Sequence, residues 1–301
     1  MLPNFFVVGA QKAGTTSLHN YLCSHPDIFL PTMKETKFFA DDERYIKGLS
    51  YYLSEHFSTW HGEKAVGEID PDYMYFEQVL ERMDVNLDLR ATKFIFVLRN
   101  PVDRAFSHYL MTVRRGVENL SFEEAIRLES KRISKDYLTK MHFSYISRGF
   151  YLPQIQRFLA YLDKTNMLFI LSDDLKNNTL DALTSCYRFL SVEEAVIPPD
   201  LDVLHHVAMA PRSKRLLQLI LRESLAKKLF HMLVPSDKVR KKFRKKMLEM
   251  NQTSEHGLVM QEDTRRMLAG MYREHNSQLA EFIGRDLSHW DYPLSKKQTS
   301  D

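Results

Sequence analysis

Cysteine is nearly missing from this chain. Cys23 and Cys186 are the two among 301 residues, each in a stretch that reads as helix, so a disulfide framework is not expected and a reducing compartment fits. Charge of one sign is also in short supply. The 42 basic and 39 acidic residues leave +3, too little to mark a nucleic-acid binder. No apolar run is long enough to span a bilayer, and the first core strand begins too near Met1 to leave room for a signal peptide. Internal repeats and low-complexity segments are lacking too. What is present is a 44% hydrophobic, 12% aromatic composition, which argues against a disordered chain. One α/β domain spanning 1–301 is expected, burying roughly 75% of its unfolded surface.

The organising stretch is Phe5 to Tyr21, FFVVGAQKAGTTSLHNY. Phe5 to Val8 reads as a short buried strand, Gly9 to Gly14 as a Gly-bounded loop, and Thr15, Thr16, Ser17 and Leu18 as the opening of a helix. Loop N–H groups and a helix N-terminus converging on one point make an anion site. The nucleotide P-loop pattern is Gly, four residues, Gly, Lys, Ser/Thr. Gly9 and Gly14 keep that spacing, but Thr15 stands at the Lys position and the loop's lysine is Lys12. The strand that would supply a Mg²⁺-holding Asp, Lys93 to Leu98, ends in Arg99. Such a site should take a second anion and no metal. A P-loop kinase using ATP therefore fits poorly, and a nucleotide-binding module without turnover stands as the rival from another class.

Lys12 within GAQKAGTTSL, followed by FIFVLRNPVDRAFSHY at Phe94 to Tyr109, resembles the two donor-binding motifs of sulfotransferases that use 3′-phosphoadenosine 5′-phosphosulfate (PAPS). KETKFF (Lys34 to Phe39), Gly67-Glu68, Gly149-Phe150-Tyr151 and GRDLSHW (Gly284 to Trp290) resemble the branch with heparan-sulfate and bacterial carbohydrate-type enzymes. The resemblance implies a P-loop-like three-layer fold, with a central, mainly parallel sheet flanked by helices. It implies a metal-free sulfuryl transfer to a hydroxyl of a carbohydrate or glycoconjugate. Golgi members of that family carry a membrane anchor, so a chain without one is expected to be cytoplasmic.

The same resemblance assigns roles. Lys12, Ala13, Gly14, Thr15, Thr16 and Ser17 would cradle the 5′-phosphosulfate, Arg99 and Ser107 the 3′-phosphate, and Tyr151 the adenine. Glu68, a carboxylate at a strand end before the Asp70-Pro71 turn, is the expected general base, with Asp70 and Asp72 as alternates. Many relatives follow this Glu with Lys; here Ile69 stands there, leaving Lys12 with more of the charge stabilisation. From about 192 to 261 the resemblance fades, and this helical stretch is the expected acceptor side. Arg212 and Lys214 there are candidates to close over the donor. The basic run Lys238 to Lys246 reads as a solvated helix face, or else as a surface for an anionic acceptor or membrane.

Further elements follow from the pattern. Strands are expected at Ala65–Ile69, Lys93–Leu98 and Met167–Leu171. Helices are expected at Thr15–Ser24, Glu43–Phe57, from the Ser121 capping box toward Arg132, after Tyr151, through Cys186, and at Thr264–Ile283. Pro101 suits a first helical position.

Overall fold

The computed structural model describes residues 1–199, 201, 209–211, 252–254 and 258–292. They fall into two compact units: 1–104, 146–205 and 266–301 in the first, 105–145 and 206–265 in the second.

The first unit is built on a five-stranded sheet in the order β2-β3-β1-β4-β5, with β1 at Phe5–Gly9, β2 at Ile28–Phe29, β3 at Ala65–Ile69, β4 at Lys93–Leu98 and β5 at Met167–Leu171. Every pairing is parallel, with Phe6 level with Glu68 on one side and Phe94 on the other. All residues of β1 and β3 are buried, the signature of a sheet covered on both faces. That double burial is why these strands read as unbroken apolar runs. Phe5, Phe6, Val7 and Val8 have no exposed surface, each contributing roughly 1.5–3 kcal/mol of burial. Phe6 packs on Phe94 and Phe39, and Phe94 and Phe96 pack on Phe158.

Chain order around this sheet fixes where a ligand can sit. After β1 comes α1 (Thr15–Cys23), then β2, α2 (Asp42–Tyr45), α3 (Gly48–His56), β3, α4 (Gln78–Asn86) and β4. The chain thus leaves β1 for one side of the sheet and returns to its other side at β4, which opens a crevice beyond the C-terminal ends of β1, β3 and β4. The single helix expected over Glu43–Phe57 is two helices, broken at Ile46–Lys47, and Gly48 takes φ 82°.

α5 (Pro101–Arg114) starts in the first unit with Pro101 at its first position and continues into the second. There α6 (Phe122–Arg127), α7 (Glu129–Ile133) and α8 (Tyr137–Phe143) follow. The Ser121–Glu124 capping box forms as expected, although the helix it opens is interrupted at Leu128. This unit is organised on Glu118, whose buried carboxylate accepts from Arg132 (2.6 Å) and Tyr145 (2.8 Å). It also holds an antiparallel pair, β6 (Met209–Pro211) with β7 (Gln252–Ser254). Back in the first unit come α9 (Tyr151–Phe158), β5, α10 (Ser172–Asn177) and α11 (Thr179–Leu190). α12 (Glu262–Ile283) runs from the second unit into the first. Cys23 is exposed and Cys186 buried, both free. No described helix is long and apolar enough to cross a membrane.

Candidate active site

The Gly9–Gly14 loop joins β1 to α1. Gly14 sits at the N-cap with φ 103°, a conformation that costs an L side chain roughly 1 kcal/mol or more. Lys12 also adopts a left-handed φ of 72°, strain of the kind that persists where the surroundings over-determine it. One surrounding constraint is Arg99, whose Nη1 donates to the Lys12 carbonyl at 3.0 Å. Arg99 leaves β4 at the adjacent strand end, so a guanidinium and the lysine-bearing loop are tied together. The first N–H groups of α1 have no intrahelical acceptor, and they add the positive end of the helix dipole here. Thr15 is buried while Thr16 and Ser17 are half-buried. This is a cation-rich, donor-rich concavity, suited to phosphate or sulfate esters.

Glu68 lies at the end of the neighbouring strand, 1% exposed. Its carboxylate is wrapped by neutral donors. Thr36 donates through its backbone N–H (3.0 Å) and hydroxyl (2.5 Å) to Oε1, Tyr52 donates to Oε2 at 2.6 Å, and Tyr73 reaches both oxygens at 3.1 Å. Among the described residues no cation bonds it directly. Burial, and then the charge of Asp70, push Glu68 up to about 7, against the opposing hydrogen bonds from Thr36 and Tyr52. Burial and the Glu68 charge likewise push Tyr52 and Tyr73 well above the usual phenol range.

The alternates for the base are differently placed. Asp70 and Asp72 are both buried, and Lys37 Nζ donates to Asp70 Oδ1 (2.8 Å) and Asp72 Oδ2 (2.6 Å). Arg148 Nη1 donates to Asp72 Oδ1 at 2.6 Å. Burial works to raise Asp72, but Lys37 and Arg148 outweigh it and hold the carboxyl well below its usual range. Burial raises Asp70, with Lys37 opposing. Burial would lower Lys37, yet Asp70, Asp72 and Glu35 hold its ammonium well above the usual lysine value. Three carboxylates in one neighbourhood thus divide into a protonatable Glu68 and an ion-paired Asp72, with Asp70 between them.

The KETK loop makes this division. Glu35 and Lys37 take left-handed φ values of 66° and 60°. Three successive N–H groups then land on the end of β3: Glu35 on the Ile69 carbonyl, Thr36 on Glu68, and Lys37 on Asp70 Oδ2. Such a nest ordinarily cradles a foreign anion; here two of its acceptors are the chain's own carboxylates. Lys34 pairs with Glu35. Among the described residues no group of three or more His, Cys, Asp or Glu is arranged for a metal ion.

Tyr151, at the start of α9, is 1% exposed. Its hydroxyl donates to the Arg99 carbonyl at 2.7 Å, and its ring lies edge-on to Trp290, whose own carbonyl accepts from Asn100. Tyr151 and the GRDLSHW segment therefore brace the Arg99 turn from behind. Ser107 lies two turns along α5, nearly buried, in the second unit. Arg212, Lys214 and the basic run Lys238 to Lys246 lie outside the described residues.

A family model described as a sulfotransferase domain matches residues 2–253. The chain belongs to the sulfotransferase family. Over 200 residues it is 30% identical to human bifunctional heparan sulfate N-deacetylase/N-sulfotransferase 2, covering 64% of this chain and 22% of that protein. Over 195 residues it is 28% identical to mouse heparan sulfate glucosamine 3-O-sulfotransferase 3A1, covering 65% and 47%. The chain thus spans about a fifth to a half of the length of these curated relatives. The crystal structure of a sulfotransferase from Alicyclobacillus acidocaldarius aligns with a TM-score of 0.68 at 26% identity, covering 96% of this chain and 99% of that one. The parallel sheet with helices on both faces is the P-loop-like fold of that family.

Lys12, Glu68, Arg99 and Tyr151 all fall in the first unit, on the loop between β1 and α1, β3, the turn after β4 and α9. The sequence reading did not single out Thr36, Tyr52, Tyr73, Lys37 and Arg148 as partners of the carboxylates. KETKFF and the helical spacing of Tyr52 were visible signals, but nothing in them named a partner.

Proposed function

We propose that the protein transfers a sulfuryl group from PAPS to an acceptor hydroxyl, with Glu68 as general base. The observation carrying this is the contrast at the end of β3. Among the described residues Glu68 has only neutral hydrogen-bond donors, and an affinity for protons matched to neutral pH, while Asp72 is committed to Lys37 and Arg148. Carboxylates whose environments push their proton affinities apart mark acid–base assignments, and a base works best when its pKa lies near the working pH.

In the proposed reaction the acceptor oxygen forms a bond to sulfur as the bond from sulfur to the 5′-phosphate oxygen breaks. Adenosine 3′,5′-bisphosphate (PAP) leaves, and the acceptor proton ends on Glu68. Glu68 and the hydroxyl-bearing Thr36 and Tyr73 around it are each 1% exposed, so the acceptor must open this corner of the site, and the proton then crosses a hydroxyl that bonds Glu68. Thr36 Oγ1 lies 3.3 Å from Tyr73 Oη, and this pair passes a proton to Glu68 as it takes one from the acceptor. Charge developing on the leaving phosphate is met by Lys12, the loop N–H groups and the α1 N-terminus. Arg99 suits the 3′-phosphate, because a guanidinium fork binds two oxygens of a dianion. The chemistry of these groups fits the donor without calling on a divalent cation. The acceptor we propose is a carbohydrate hydroxyl, a reading that rests on the heparan sulfate 3-O-sulfotransferase relatives.

The test is calorimetric titration with PAP and with ATP, each in excess chelator, followed by transfer of labelled sulfate from PAPS to unsulfated heparosan oligosaccharides. Metal-free binding of PAP and label in the oligosaccharide are expected. Binding of ATP alone, and only with Mg²⁺ restored, would overturn the reading.

A further inference from the structure

We infer that Asp72 is a positioning residue that ties the loop holding Glu68 to the turn carrying Tyr151, so that the base side and the donor side of the site are set together. The inference rests on the sulfotransferase reading above. Its basis is that one buried carboxylate is shared, one oxygen each, between cations from distant parts of the chain: Oδ2 with Lys37 at 2.6 Å, Oδ1 with Arg148 at 2.6 Å.

Toward the base, Lys37 belongs to the KETK loop, whose backbone fixes Asp70 and Glu68. Toward the donor, Arg148 lies in the short 3₁₀ turn Ser147–Gly149 that leads into α9. Its guanidinium is 4.3 Å from the centre of the Tyr75 ring, and the Tyr75 hydroxyl is 2.7 Å from Ser147 Oγ. Two residues after Gly149, Tyr151 holds the Arg99 carbonyl, and Arg99 holds the Lys12 carbonyl. Short polar contacts, joined by the backbone from Thr36 to Lys37 and from Arg148 to Tyr151, thus lead from Thr36 to Lys12 through Asp72. Removing one partner of a buried ion pair leaves an uncompensated charge, so either end of this path should respond to a change at the other.

A purely structural Asp72 would change stability alone. Coupling makes a crossed prediction, and coupling between two sites is reciprocal. Lys37→Met, on the base side, should weaken PAP about fivefold or more in calorimetry. Arg148→Met, on the donor side, should move the protonation of Glu68 to higher pH, and Arg148→Lys should restore it. That protonation is read in infrared difference titrations of the full chain, with Glu68→Gln as the blank. Groups around Glu68 that bear on the titration are Tyr52 on α3, Tyr73 and Asp70 after β3, and Glu35 and Lys37 in the loop, with Asp72 and Arg148 beyond. Asp72→Asn should weaken PAP likewise, but because it removes a negative charge and frees Lys37 it should move the Glu68 titration to lower pH; if it does not fold the two crossed variants decide. PAP affinity within about twofold of the parent in Lys37→Met, or an unmoved Glu68 titration in Arg148→Met, would overturn the inference with the sulfotransferase reading intact. A parent protein that does not bind PAP would overturn both.

Discussion

Tyr52 donates a hydrogen bond from its hydroxyl to Glu68 Oε2 across 2.6 Å, inside a site where neither residue is exposed by more than 1%. The bond favours the ionised carboxylate and so restrains the upward push of burial. Tyr52→Phe should therefore raise the Glu68 pKa and move the acidic limb of the pH–rate profile to higher pH. A hydrogen bond to a charged group is worth about 1.5–3 kcal/mol, and urea denaturation above pH 8 should show a loss of that order. An unmoved limb would count against Glu68 as the titrating base.

Stability offers a route to the same group that needs no acceptor. Folded Glu68 keeps its proton up to about pH 7, whereas the unfolded chain releases it in the ordinary carboxylate range. Between those values the folded state binds more protons, so this group's contribution to stability falls as pH rises. Glu68→Gln removes that slope. The variant should gain on the parent from acid to neutral pH by up to about 3 kcal/mol, measured by chemical denaturation at several pH values. Asp72 has the opposite sense, stabilising above the usual carboxylate range and losing that effect as acid protonates it. It is present in both proteins and drops out of the comparison.

Thr36→Val keeps shape but removes the hydroxyl that bonds Glu68. If the proton passes through the Thr36–Tyr73 pair, turnover should fall by about 10²-fold or more, well beyond any change in PAP affinity. Single-turnover transfer and calorimetry separate the two. Near-normal turnover would mean that the acceptor reaches Glu68 by another route.

Lys12→Ala should leave the melting temperature nearly unchanged, since the loop geometry is set by Gly14 and the Arg99 tether. If Lys12 meets the leaving phosphate as proposed, losing that preorganised charge should cost about 10² to 10³ in turnover. Comparing Lys12→Ala with Lys12→Arg in the transfer assay distinguishes charge from shape.

Gly149→Ala tests the turn behind the donor site. A Cβ there would lie 2.6 Å from the Tyr272 hydroxyl, itself bonded to the Ile146 carbonyl. Overpacking of this kind costs about 1–3 kcal/mol, and thermal denaturation should show it.

Much of this was legible in the sequence, for identifiable physical reasons. β1, β3, β4 and β5 announce themselves because both sheet faces are covered, so their residues are apolar without alternation. β2 did not, since Ile28–Phe29 is two residues long and too short to carry any period. The Glu43–Phe57 pattern hid a break because Tyr52 alone in α3 is buried, which leaves little amphipathic signal to end one helix and begin another. Glu68 could be singled out from its strand-end position. The ionic partners of Asp70 and Asp72 could not, because Lys37 and Arg148 are brought to them by strand order rather than by any local spacing. Tyr151 illustrates the same limit: the aromatic was visible, but not that its hydroxyl would brace Arg99.

The parallel order of the sheet also dictates a sequence of events in time. The lysine-bearing loop is made before β3 and β4, yet β1 needs β3 on one side and β4 on the other before that loop has walls. Long-range parallel pairing is slow because loop closure must precede any gain in contacts. During synthesis, then, the anion cradle stays unformed until Lys93–Leu98 has left the ribosome, and Phe5–Val8 spends that interval as an uncovered apolar segment. A nascent chain halted between β3 and β4 should bind chaperones, and the completed chain should bind PAP.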